Sequence, residues 1–87
     1  MDIKSGFCLK GRKAMVTGSG QGLGKAFALA LAGAGADVSI VDINMEKAQL
    51  TASEIGLTGA KAVAIKADIS DPGESRKAVE ETIRSLG

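Results

Sequence analysis

Three residue types are missing from this sequence altogether: it has no histidine, no tryptophan and no tyrosine. Without histidine, a metal site of the His/Cys type is excluded, and so is a Ser-His-Asp catalytic arrangement. Cysteine is almost as scarce. The single Cys8 cannot form an internal disulfide, which fits a reducing, cytoplasmic setting. With no histidine to activate it, Cys8 is also a poor nucleophile. No apolar run approaches the roughly 18 residues needed to cross a bilayer. The opening Met1-Asp-Ile-Lys-Ser-Gly lacks the apolar core of a secretion signal. An excess of either charge is lacking too. Eleven Lys and Arg against 10 Asp and Glu leave a net charge of +1, so nothing draws the chain to nucleic acid or a membrane surface. Its 87 residues, 45% of them hydrophobic, read as one small soluble domain or part of a larger one.

Glycine, by contrast, is concentrated where it carries chemistry. Met15-Val-Thr17-Gly18-Ser19-Gly20-Gln21-Gly22-Leu23-Gly24-Lys25 reads as a short apolar strand, four glycines, then an Ala/Leu-rich helix. Glycines let a backbone approach a ligand closely. The first helical turn has N–H groups without partners inside the helix, and the helix dipole adds roughly half a positive charge there. Together these form an anion site that needs no basic side chain, suited to the pyrophosphate of a dinucleotide. The general fingerprint G-x-G-x-x-G does not fit, because from Gly18 and Gly20 it requires glycine at Leu23. The P-loop pattern fails twice, at Ser19 and at Ala26. The pattern that fits is T-G-x-x-x-G-x-G, as Thr17-Gly18, Gly22 and Gly24. In this motif the chain resembles the short-chain dehydrogenase/reductase family, and the resemblance extends over essentially everything from Phe7 onward.

The remaining chain alternates strand and helix. Phe7-Cys8-Leu9 and Lys10-Gly11-Arg12 form a lead-in turn whose apolar side chains can cover one edge of the core. Strand one is Lys13 to Thr17, with Ala14, Met15 and Val16 apolar in sequence, as in a strand buried on both faces. Helix one starts near Gly22, and Leu23, Phe27, Ala30 and Leu31 form the stripe expected to face the sheet. Its alanines favour close packing, and Gly33 and Gly35 end it. Strand two, Asp37 to Asp42, is β-branched at Val38, Ile40 and Val41. Asn44 caps helix two, Met45 to Ile55, which turns Ala48, Ala52 and Ile55 inward. Glu46, Lys47, Gln49 and Glu54 are expected on its solvated face. Strand three is Lys61 to Ala67. Asp71-Pro72-Gly73-Glu74 is a helix start, with Asp at N-cap and Pro at the first helical position. Helix three then carries Val79, Ile83 and Leu86 on one face.

Asp42 ends strand two, twenty positions after Gly22. In a βαβ unit that position places a carboxylate where the adenosine ribose lies, able to accept from two hydroxyls and to repel a 2′-phosphate. Ile43 and Asn44, which follow, bring no positive charge. The family resemblance adds two implications. Members that use NADP tend to carry a basic residue near these points or just before the second motif glycine, where this chain has Gln21; NAD is therefore the expected cofactor. An acidic residue at the end of strand three, followed by an aliphatic one, receives the adenine amino group in the family, which assigns that role to Asp68 and Ile69. The expected cofactor-binding residues are thus Gly18, Gly20, Gln21, Gly22, Leu23, Asp42, Ile43, Asp68 and Ile69. No metal ligand is expected.

The resulting architecture is β-α-β-α-β-α, an α/β fold forming the N-terminal half of a Rossmann doubly wound parallel sheet, strand order 3-2-1. Strand one should then be an open, apolar edge. From this we expect residues 1–87 to form a partial dinucleotide-binding domain from the N-terminal part of a longer chain. The family works with a Tyr-x-x-x-Lys pair and a Ser, and a chain without tyrosine cannot supply that acid/base. The expected role is to bind NAD within an oxidoreductase acting on an alcohol or carbonyl compound. A small-molecule substrate is then held only together with the missing C-terminal part, and homo-oligomers are common in the family. A different reading makes the chain a non-catalytic nucleotide-binding or interaction module that pairs through its open strand edge.

Overall fold

Strand β2 (Asp37–Asp42) lies at the centre of the molecule, with Val38, Ser39, Ile40 and Val41 all fully buried. The computed structural model describes residues 9–87. On one side β2 pairs with β1 (Lys13–Thr17), and on the other with β3 (Ala62–Lys66), both in parallel. The sheet order β1-β2-β3 is the expected 3-2-1 arrangement read from the opposite edge. Register puts Thr17 beside Val41 and Asp42 beside Lys66, so the loops after the strands gather at one end.

Each parallel pair is joined through a helix, as parallel strands require. Helices α1 (Gly22–Gly33) and α2 (Met45–Gly56) cover one face and α3 (Pro72–Leu86) the other. Strand alternation divides the core accordingly. Val38 and Ile40 pack with Ala28, Ala32, Ala48 and Ile55, whereas Val41 packs with Ala67 and Ala78. On the α3 side the buried Ser39 hydroxyl accepts from Thr82 Oγ1 at 2.9 Å, so the polar pair is satisfied.

The helices start and stop where the local signals place them, but two present a different face. In α1 the buried residues are Ala28 and Ala32, while Leu23 is 75% and Phe27 55% exposed, and Ala30 and Leu31 are half-buried. The reason is the entry of the helix. Gly24 lies directly on the Gly18 carbonyl, and Ala28 and Ala32 follow it at i+4 and i+8 on the same side. Contact between two backbones sets the rotation, and the larger side chains are turned away. Helix α3 behaves similarly. Ala78, Thr82 and Leu86 face the sheet, Val79 is 44% and Ile83 62% exposed, and of the expected stripe only Leu86 is buried. In α2 Ala48 and Ile55 are buried as expected, with Thr51 between them and Ala52 half-buried.

Leu9 opens the described chain. Its N–H donates to Ala34 O at 2.8 Å, its carbonyl accepts from Arg12 N–H at 2.9 Å, and its side chain packs on the core. The lead-in turn is therefore formed at Leu9–Arg12; Phe7 and Cys8 lie outside the described residues. An ion pair between Lys25 and Glu54, at 2.9 Å, links α1 to α2. Among the described residues no helix is long and apolar enough to cross a membrane.

Candidate functional site

The turn from β1 into α1 is held from below by one of its own side chains, Ser19, and by Thr51 of α2. Ser19 is fully buried. Its hydroxyl donates to Val16 O and accepts from Val41 N–H, and its own N–H donates to Val41 O at 3.2 Å. Thr51, also buried, donates from Oγ1 to Gly20 O at 3.3 Å. Two glycines permit this packing. A Cβ on Gly24 would lie 2.3 Å from Gly18 O, and one on Gly20 would lie 2.8 Å from both Asp42 Oδ2 and Lys47 Cβ. Gly18 and Gly22 take positive φ angles of 61° and 63°, which turn the chain into the helix.

The start of α1 differs from those of α2 and α3. Asn44 caps α2 by accepting from Lys47 N–H, and Asp71 caps α3 by accepting from Gly73 and Glu74 N–H. Gln21, the N-cap residue of α1, makes no such bond, and the helical bonding begins with Lys25 N–H to Gln21 O. The N–H groups of Gly22, Leu23 and Gly24 thus precede the first helical hydrogen bond, aligned with the positive end of the dipole. That is the geometry an anionic group can use.

Asp42 sits beside this turn. Its Oδ2 accepts from Gly20 N–H and its Oδ1 from Asn44 N–H, each at 2.9 Å. Each carboxylate oxygen has two acceptor positions, so the group is fixed in place and can still accept from hydroxyls. Asp68, after β3, accepts on Oδ1 from Ser70 N–H at 3.0 Å and Ser70 Oγ–H at 2.6 Å. These two hydrogen bonds, the hydroxyl's first, hold its carboxyl below the ordinary aspartate range. The Asp68 N–H donates to Glu74 Oε1 at 2.9 Å, and Ser75 Oγ–H to Ile69 O at 2.8 Å, which ties the loop to α3.

Of the nine residues singled out in the sequence, Gly18, Asp42, Ile43, Asp68 and Ile69 line one pocket of about 240 Å³, with Ala67. Gly20 touches it through Asp42. Gln21, Gly22 and Leu23 do not line it. Gly22 and Leu23 form the first turn of α1, and the Gln21 side chain turns to α2, where its Oε1 accepts from Lys47 Nζ. Lys47 is half-buried: its Cβ stands against Gly20, while its ammonium stays at the solvent-exposed rim on Gln21. No local pattern reveals this, because the contact spans the fold. Thr51 was legible in principle, since Ala48, Thr51 and Ile55 share one helical face. A larger cleft of about 560 Å³ lies along the outer edge of β3, between Met45 and α3, away from the glycine turn. Among the described residues no cluster of three or more His, Cys, Asp or Glu could hold a metal ion.

Known proteins share this fold. The family model described as short chain dehydrogenase matches residues 12–87. Cyclohexanol dehydrogenase of Acinetobacter sp. (strain SE19) is 43% identical over 74 residues, covering 85% of this chain and 30% of its own length. A hydroxysteroid dehydrogenase from Escherichia coli superposes with a TM-score of 0.89 at 38% identity, covering 92% of this chain and 33% of that one. A 7α-hydroxysteroid dehydrogenase solved in complex with NADH and 7-oxo glycochenodeoxycholic acid does so with the same TM-score and identity, covering 92% of this chain and 31% of that one. The chain spans about a third of the length of these relatives. With the glycine turn, the parallel sheet and a match over residues 12–87, the chain belongs to the short-chain dehydrogenase/reductase family of oxidoreductases.

Proposed function

We propose that residues 9–87 bind the AMP half and the pyrophosphate of NAD within a dehydrogenase acting on an alcohol or carbonyl substrate. One observation carries this reading: Asp42, its carboxylate fixed by Gly20 and Asn44, shares a pocket with Gly18, Asp68 and Ile69. Beside that pocket, the N–H groups of Gly22, Leu23 and Gly24 at the start of α1 receive the pyrophosphate, and Asp42 accepts from the ribose hydroxyls. Asp68 accepts from the adenine amino group while Ile43 and Ile69 cover the ring. The glycine turn suits such a ligand because its backbone lies open where side chains would otherwise stand.

NAD, when bound, supplies the nicotinamide carbon that takes up or releases hydride. These 87 residues contain no tyrosine and no histidine, so proton transfer at the substrate falls to residues outside them, in line with the family's Ser, Tyr and Lys pattern. The similarity to a cyclohexanol dehydrogenase supports a secondary alcohol or the corresponding ketone as the substrate class. The reading goes with a cytoplasmic protein that assembles with copies of itself.

Thermal unfolding tests the proposal. The melting temperature should rise with NAD and with 5′-AMP, and far less with nicotinamide mononucleotide, which lacks the adenosine half. A folded protein whose melting temperature does not move at millimolar NAD would refute the site.

A further inference from the structure

We infer that Lys47 is a specificity-determining residue, a counter-charge to Asp42 on the ribose side of the glycine turn that moderates how strongly a ribose 2′-phosphate is rejected. The inference rests on the AMP-half reading above. Its ground is the way Gly20 is held. The Asp42 carboxylate and the Lys47 stem press on that one residue together: a Cβ there would stand 2.8 Å from Asp42 Oδ2 and 2.8 Å from Lys47 Cβ. Lys47 occupies the first turn of α2, and its N–H donates to Asn44 Oδ1 at 3.1 Å, so its backbone position is determined by the helix cap. Its ammonium donates to the side chain of Gln21, the residue that follows Gly20, in a solvent-exposed bond that holds it beside the glycine turn.

The two charges do not cancel in an ion pair. Among the described residues the ion pairs are Lys25–Glu54 and Arg84–Glu81. Asp42 instead spends its oxygens on Gly20 and Asn44 N–H groups, and an ammonium has three donors, of which Gln21 takes one. A ligand at Asp42 therefore meets a carboxylate and a cation from adjoining positions. A 2′-hydroxyl is served by the carboxylate. A 2′-phosphate is repelled by Asp42 and attracted by Lys47, so its rejection is the difference of two opposed interactions. Lys25, the neighbouring cation on α1, is bound to Glu54 and does not share this role.

The test compares the affinities of adenosine 2′,5′-bisphosphate and 5′-AMP by isothermal titration calorimetry, expressed as a ratio. It is run on the unaltered protein, Lys47→Met, which keeps the apolar stem on Gly20, and Lys47→Arg. All three are repeated in an Asp42→Ala background. The ratio should fall roughly tenfold in Lys47→Met, the weight of one charge-assisted hydrogen bond to phosphate. It should be held by Lys47→Arg, and the difference should shrink as salt is raised. A ratio unchanged by Lys47→Met in both backgrounds, with 5′-AMP binding intact, would overturn the inference and leave the AMP-half reading standing. If the unaltered protein does not bind 5′-AMP, the AMP-half reading itself is overturned and the inference falls with it.

Discussion

Gly24 and Gly33 lie in the same helix, yet replacing them by alanine should have opposite results. At Gly24 the new methyl would meet Gly18 O at 2.3 Å and Gly18 C at 2.9 Å. Both are backbone atoms that cannot swing aside, so α1 must move off β1. We expect Gly24→Ala to lose about 2 kcal/mol in urea unfolding, within the range for overpacked sites, and to weaken 5′-AMP binding. Gly33→Ala meets nothing within 4 Å and should be neutral or stabilising by up to about 1 kcal/mol. Equal effects would show that the contact with Gly18 does not matter. Asp68 gives a second residue-scale expectation. Its folded-state pKa is lowered by hydrogen bonds from Ser70, so those bonds support the fold above the unfolded aspartate pKa. That support is lost as pH falls through the lower folded value, in the acid range below about pH 4. Ser70→Ala should raise the Asp68 carboxyl pKa in an NMR titration, and an unmoved titration would contradict the assignment of its cause.

At the level of elements, caps and faces follow different rules. Asp71 Oδ1 accepts from Gly73 N–H at 2.8 Å and Glu74 N–H at 3.3 Å. Asp71→Ala should cost about 1 kcal/mol, the usual weight of an N-cap, and a chemical unfolding curve that did not shift would show the cap to be idle. Such signals are local, which is why the starts of α2 and α3 could be read from Asn44 and from Asp71-Pro72. The strands were legible for the same reason: β1 and β2 fall where their apolar and β-branched runs do. Helix rotation is another matter. Ala28 and Ala78, with no apolar bulk to recommend them, lie closest to the sheet, whereas Phe27 and Val79 beside them turn outward. A hydrophobic stripe says that a helix has an inner face, but backbones approach most closely where the side chains are small.

For the molecule as a whole, the core is thin. Most of the buried hydrophobic residues among those described are alanines, and 87 residues folded by themselves would bury only about 60–65% of their unfolded surface. Stability should therefore be low and sensitive to ligand. At a hundredfold excess over the dissociation constant, NAD would add about 2.7 kcal/mol, or a rise on the order of 10–20 °C in a domain this small. The short apolar strand β1 lies at one edge of the sheet, and Leu23 and Phe27 are exposed on α1. The chain also spans about a third of its relatives' length. By itself the amino-acid sequence determined the order of elements, their caps, the parallel sheet and the carboxylates at the strand ends, because glycine spacing, apolar runs and capping residues act within a few positions of one another. Only the tertiary structure decided which helix faces are buried, that Ser19 and Thr51 anchor the turn, and that Lys47 stands across Gly20 from Asp42. Those outcomes depend on how closely backbones far apart in the chain can approach, and no local pattern encodes that distance.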